Sequence, residues 1–199
     1  MEVVLIDSPV ANVANIARAL RAGGAELHLT RDPAEVAAAR KIVLPGVGTF
    51  GAAMAWLEET AIGGAIREAV ASGASLLGIC VGHQLLFEAS DEMGRRRGLG
   101  LLRGEVRRLE TELPVPQIGW NRVSLAVPDP LFHGIADGTS FYFVHSYAAS
   151  EVPSEIARAA YGRPFSAAVR SGRVCGVQFH PEKSSAAGLR VLRNFVRWN

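Results

Sequence analysis

Only two of the 199 residues are cysteine, Cys80 and Cys175, too few for a disulfide framework. Lysine is almost missing: Lys41 and Lys183 are the only two of 21 basic residues, and arginine supplies the rest. This arginine bias, with abundant alanine, makes arginine density weak evidence of function. Net charge is only +2, too small to argue for a nucleic-acid partner. No apolar run approaches the length of a membrane span, so no membrane association is expected. MEVVLIDS has no charged segment ahead of an apolar one, so no secretory signal is expected. The five histidines and two cysteines show no ligand spacing, so neither a metal nor another cofactor is expected. No repeat, low-complexity tract or linker interrupts the chain.

What is present is an alternation of apolar segments. Glu2–Asp7, Ala25–Thr30 and Lys41–Leu44 read as strands. Val13–Ala22 and Ala34–Arg40 read as helices, and Phe50–Ser72 as one or two helices broken near Ile62–Gly64. Strand-helix alternation argues an α/β fold, an open, mostly parallel sheet flanked by helices. The second half changes character. Glu105–Leu109, Arg122–Val127, Ser140–Tyr147, Glu155–Tyr161, Phe165–Arg170 and Val174–Phe179 read as additional antiparallel strands, with a hairpin turn at Arg170–Arg173 and a closing helix over Gly188–Trp198. One domain over residues 1–199 is expected.

The most informative stretch is ASLLGICVG, residues 74–82. Cys80 follows a short apolar strand and precedes HQLLFEA, which has the composition of a helix. Gly78 and Gly82 stand two residues to either side, the pattern of a nucleophile elbow with sulfur in place of oxygen. A Cβ at either glycine would collide in so tight a turn. A helix N-terminus beneath the thiol favours the thiolate.

A second stretch, VCGVQFHPEKS, places His180 and Glu182 at a strand end. In extended chain two such residues point to one side, and Pro181 between them stiffens the pair. A histidine oriented by a carboxylate can take a thiol proton. A third, LPGVGTFG at 44–51, offers a loop whose backbone N–H groups at Val47 and Gly48 could join that of Val81 as oxyanion donors.

Together PGVGTFG, GICVGHQLL and QFHPE resemble the class I, triad-type glutamine amidotransferases. VPQIGWNRV, FYFVHSY and HPEKS narrow the resemblance to glutaminase subunits of imidazole glycerol phosphate synthases. It covers nearly the whole chain. The resemblance implies that Cys80 attacks the side-chain amide of L-glutamine, with His180 relaying protons and Glu182 orienting it. It implies substrate contacts at Gly46, Gln84, His145, Ser146 and Tyr147. Ammonia would pass to a separate barrel-type cyclase subunit, paired as a heterodimer in the cytoplasm, to make imidazole glycerol phosphate and aminoimidazole carboxamide ribonucleotide in histidine biosynthesis. Asn12, Trp120, Asn121 and Lys183 would face that partner. A glutaminase of another pathway, feeding pyridoxal phosphate, purine, pyrimidine or anthranilate synthesis, and a non-catalytic subunit of the same fold are the alternatives.

One loop departs from the family. Where D-Y-G-x-G-N is usual, Asp7, Ser8, Pro9, Val10, Ala11 and Asn12 stand here, and Pro9 stiffens what glycine would leave free. His83 also replaces a usually apolar residue and reads as a surface or packing residue. Arg95–Arg97, Arg103, Arg107 and Arg108 read as a solvated loop.

Overall fold

The computed structural model describes residues 1–9 and 12–198. Its first half runs β1 (Glu2–Ile6), α1 (Val13–Ala22), β2 (Glu26–Thr30), α2 (Pro33–Ala38), β3 (Lys41–Gly46), α3 (Phe50–Glu59), α4 (Ile62–Ala71) and β4 (Ser75–Cys80). The chain continues through α5 (Val81–Gln84), β5 (Phe87–Ser90), β6 (Arg96–Arg97), β7 (Leu102–Arg108), β8 (Gln117–Arg122) and β9 (Ser124–Leu125). It closes with β10 (Ser140–His145), β11 (Tyr147–Ala149), β12 (Glu155–Tyr161), β13 (Arg163–Ser171), β14 (Val174–Val177) and α6 (Ser185–Arg197).

The main sheet has the order β2-β1-β3-β4-β14-β13-β12-β9. The strands from β2 to β14 are parallel, and those beyond β14 pair antiparallel. The parallel strands β3, β4 and β14 are buried at every residue, because helices cover both faces. Right-handed crossovers put α1 on one face and α2 to α4 on the other, since the strand order reverses at β1. Accordingly α1 packs with α6, while α2 and α3 pack with α4. Val191, Leu192, Phe195 and Val196 form the buried stripe of α6 at helical spacing. Two smaller sheets, β10-β8 and β11-β7-β5-β6, stand beside the C-terminal ends of the central strands.

The helix expected over HQLLFEA lasts one turn. Its continuation would need the carbonyls of Leu85 and Leu86, and these accept instead from the N–H groups of Leu99 (2.8 Å) and of Leu101 and Leu102 (both 2.9 Å). The chain therefore leaves as β5 and seeds the four-stranded sheet. The strand expected over Arg122–Val127 is displaced as well. Pairing with β10 begins at Gln117, and Val123 separates β8 from the short β9. The hairpin at Arg170–Arg173 is present, with Gly172 at φ +57° between β13 and β14. The altered loop lies partly outside the described residues at 10 and 11. Of the rest, Asp7 is held by Arg31 at 2.8 Å, Ser8 is buried and Asn12 caps α1 through the Asn15 N–H.

Candidate active site

Cys80 is the last residue of β4 and the first to leave the sheet. Its backbone takes φ 54° and ψ −112°, a region that L side chains rarely occupy. Neighbouring glycines make the turn possible. A Cβ on Gly82 would lie 2.0 Å from the Leu44 carbonyl oxygen, and one on Gly78 would lie 2.6 Å from that of Gly82. Gly46, opposite Cys80 in the β3–β4 register, would place a Cβ 2.7 Å from the Gly82 nitrogen. Gly46 thus supports the elbow from the neighbouring strand and is not among the residues that line the cavity below.

The thiol opens into a cavity of about 280 Å³ lined by Val47, Gly48, Val81, Gln84, His145, Ser146, Tyr147, His180 and Lys183, among others. Nine residues singled out in the sequence therefore meet there beside Cys80. Gly48 holds φ +86°, which leaves the loop free to turn its backbone toward the cavity. A larger hollow of about 720 Å³ lies at the opposite end of the sheet, where β1, β3 and β4 begin. Its buried Lys41 donates to the carbonyls of Phe195 and Val196 at the end of α6, a capping role.

His180 ends the loop after β14, and its Nδ1 donates to Glu182 Oε1 at 2.9 Å. The pair does not form as extended chain: Pro181–Lys183 is a 3-10 turn, and it is this turn that folds Glu182 back under the ring. Burial by itself would push the imidazole pKa down, but hydrogen bonds to Cys80 and Glu182 outweigh it and raise it to about 10. Ser184 Oγ ties the turn down by donating to the His180 carbonyl at 2.7 Å.

On the far wall, Gln84 Nε2 donates to the Tyr147 carbonyl at 2.8 Å, and His145 Nδ1 donates to that same carbonyl at 2.9 Å. His145 Nε2 lies 3.0 Å from the Gln117 side-chain amide. Burial lowers His145 to about 4, so it stands neutral at pH 7 and serves as a fixed strut. His83 packs inside and not at the surface. It is fully buried against Gly176 and edge-on to Phe87 at 5.3 Å, and burial pushes it down to about 3.

Three cavity residues escaped the sequence reading: Glu92, Pro116 and Val144, whose carbonyl lies 3.8 Å from Cys80 Sγ. Glu92 lines it as an acidic group and accepts from the Phe50 N–H at 2.6 Å, at the start of α3. Only the unforeseen strand β5 brings it there. Pro116 lines it from the loop before β8. Of the residues expected to face a partner, Trp120 is 53% exposed and Lys183 is exposed above the Tyr142 ring at 5.7 Å. Asn121 points to the other face of β8, as strand alternation requires, and donates to the Ala160 carbonyl at 2.9 Å. The basic residues Arg95, Arg96, Arg97, Arg103, Arg107 and Arg108 are all exposed, and Arg95 and Arg107 pair with Glu105.

Among the described residues, no group of three or more His, Cys, Asp or Glu side chains is placed to hold a metal ion, and no helix is long and apolar enough to cross a membrane.

The family model for glutamine amidotransferase class-I matches residues 4–198. The imidazole glycerol phosphate synthase subunit HisH of Symbiobacterium thermophilum is 48% identical over 98% of this chain and 93% of its own. The subunit of the same name from Moorella thermoacetica is 46% identical over 97% of this chain and 93% of its own. Among solved structures, a glutamine amidotransferase superposes with TM-score 0.75 at 22% identity, covering 96% of each chain, and PurLQS from Thermotoga maritima with TM-score 0.73 at 20% identity, covering 98% of this chain and 96% of that one.

Proposed function

Because the chain belongs to the class I glutamine amidotransferase family, we propose that it is the glutaminase subunit of an imidazole glycerol phosphate synthase, acting as one domain in a reducing cytoplasm. The observation that carries this reading is the His180–Glu182 pair beside Cys80 in the same cavity. The names of relatives that share close to half of its residues along nearly the whole chain point to the same pathway.

In this reading the Cys80 thiolate attacks the carboxamide carbon of glutamine. The Val81 N–H and the loop at Val47–Gly48 stabilise the oxyanion. His180, as imidazolium, gives its proton to the departing ammonia, and a thioester on Cys80 remains. Water then attacks the thioester with His180 as base, and glutamate leaves. Glu182 holds the ring in one tautomer and favours its cationic form. The Glu92 carboxylate is the acidic group available to the substrate's ammonium, and the Ser146–Tyr147 backbone flanks its other end.

The partner is a barrel-type cyclase that consumes the ammonia. Support comes from the face of β8 and β10 beside the cavity. Ile118 (63% exposed) and Trp120 present apolar surface there, Trp120 edge-on to Tyr142 at 6.1 Å, with Lys183 next to them. An exposed tryptophan with a neighbouring cation is the composition of an interface centre. The test is glutamate release by the purified chain, alone and with the cyclase and its nucleotide. Release that rises strongly in the liganded complex, and vanishes in Cys80→Ala, is expected. Release indifferent to the cyclase would remove the pathway, and none under any condition would remove the enzyme.

A further inference from the structure

Gln178 is fully buried one residue beyond β14, between the substrate wall and the nucleophile. Its Oε1 accepts from Gln84 Nε2 at 3.1 Å, and its Nε2 is directed at Cys80 Sγ at 4.0 Å. Gln84 Nε2 also donates to the Tyr147 carbonyl. The chain of contacts therefore runs Tyr147 C=O, Gln84, Gln178, Cys80.

Both ends of this chain are acceptors. A backbone carbonyl can only accept, and so can a thiolate. With two acceptors at its ends, a run of two amides has one consistent polarity. Gln84 spends both Nε2 hydrogens, one on Tyr147 and one on Gln178, and Gln178 turns its own Nε2 to the sulfur. Among the described residues Gln84 Oε1 has no hydrogen-bond partner, and Gln84 lines the cavity.

Resting on the glutaminase reading above, we propose that Gln178 is a positioning residue that locks the Gln84 amide with its oxygen toward the substrate, so that the site selects a ligand carrying an N–H donor there. Glutamine has two such donors, its carboxamide and its ammonium. Without Gln178 the Tyr147 carbonyl alone would hold the Gln84 amide, which could turn over to present –NH₂ more readily, and the selection would weaken. The Gln178 N–H at the sulfur does a second job, favouring the thiolate.

The two jobs separate in two variants. Gln178→Met keeps length and bulk and removes both amide contacts. Gln178→Glu keeps the acceptor for Gln84 but replaces the N–H at the sulfur with a negative charge. Each is assayed as the full chain in complex with the cyclase and its nucleotide. Glutamine is compared with L-glutamate γ-methyl ester, which lacks the amide donor, and with glutaramate, which lacks the ammonium. The penalty in kcat/KM for removing one of the two donors should collapse by about tenfold or more in Gln178→Met and persist in Gln178→Glu. Iodoacetamide labelling of Cys80 should slow in both variants, which lose the N–H at the sulfur, and most in Gln178→Glu, which also sets a negative charge beside it. A mutation that merely loosened the fold would lower all three substrates together. Penalties for both donors unchanged in Gln178→Met would overturn the proposal. A parent complex without glutaminase activity would instead overturn the functional reading on which it rests.

Discussion

His180 and Glu182 meet through one oxygen only: Nδ1 donates to Oε1 at 2.9 Å, while Oε2 is buried with no partner among the described residues. The carboxylate therefore acts on the ring mainly as a charge and an orienting acceptor. Glu182→Gln keeps the shape and removes the charge. We expect kcat to fall on the order of 10²-fold with little change in KM, as for a weakened general acid–base, and NMR titration should find the imidazole well below about 10. The sign for stability follows. The folded pKa lies above the unfolded value of about 6.5, so the pair's contribution is fully present below that pH and is lost as pH rises toward about 10.

His83 works in the opposite direction. It is buried, lacks a well-formed hydrogen bond at either ring nitrogen, and has its pKa lowered to about 3. Its contribution is present above the unfolded value of about 6.5 and is lost as pH falls toward about 3. His145, neutral beside it, adds to the same acid limb, ending near about 4. In His83→Leu the unfolding free energy from urea titrations should fall less steeply below pH 6, by up to about 1.4 kcal/mol per pH unit. At pH 7 the variant should be at least as stable as the parent, since two unpaired buried nitrogens are gone.

Two glycines should respond to alanine with opposite signs. At Gly82 a methyl group would meet the Leu44 oxygen at 2.0 Å, backbone against backbone. Gly82→Ala should lose several kcal/mol, at least about 3, or fail to fold. Gly64 is exposed inside α4 and has nothing near a new Cβ. Gly64→Ala should gain about 0.5–1 kcal/mol in thermal or urea unfolding.

Trp120 makes no contribution to the buried core and stands on the face proposed for the cyclase. Trp120→Ala should leave the melting temperature within about a degree or two. Its effect should appear in the pairing, as a loss of about 2 kcal/mol or roughly 30-fold in Kd, read by titration calorimetry. Unchanged affinity would move the docking surface elsewhere.

The elbow was legible because it is local: a nucleophile, two glycines and an apolar strand occupy nine consecutive residues, and sterics dictate the rest. The alternation of strands and helices through Cys80 was legible for the same reason, since period and composition agree there. What followed was not. HQLLFEA has helical composition, yet Leu99, Leu101 and Leu102, far along the chain, claim the carbonyls a helix would use. That non-local competition also hid Glu92, which reaches the cavity only through β5. His180 and Glu182 were paired correctly but for the wrong reason, because a 3-10 turn and not an extended segment brings them together. Gln178 was in plain view within QFHPE, but its meaning depends on two partners, 94 and 98 residues away in sequence.

The insertion of β14 between β4 and β13 has a consequence for how the protein comes into being. A growing chain can pair β2, β1, β3 and β4 early, but the edge of β4 stays open until residues 174–177 leave the ribosome. Until then the nucleophile strand, paired with β3 on one side, offers an open apolar edge on the other, the kind that recruits other chains. His180, Glu182 and Gln178 arrive on that same late segment. Closing the sheet and arming the thiol are thus one event, and a ribosome that stalls short of it releases a chain that is both chemically inert and prone to aggregate.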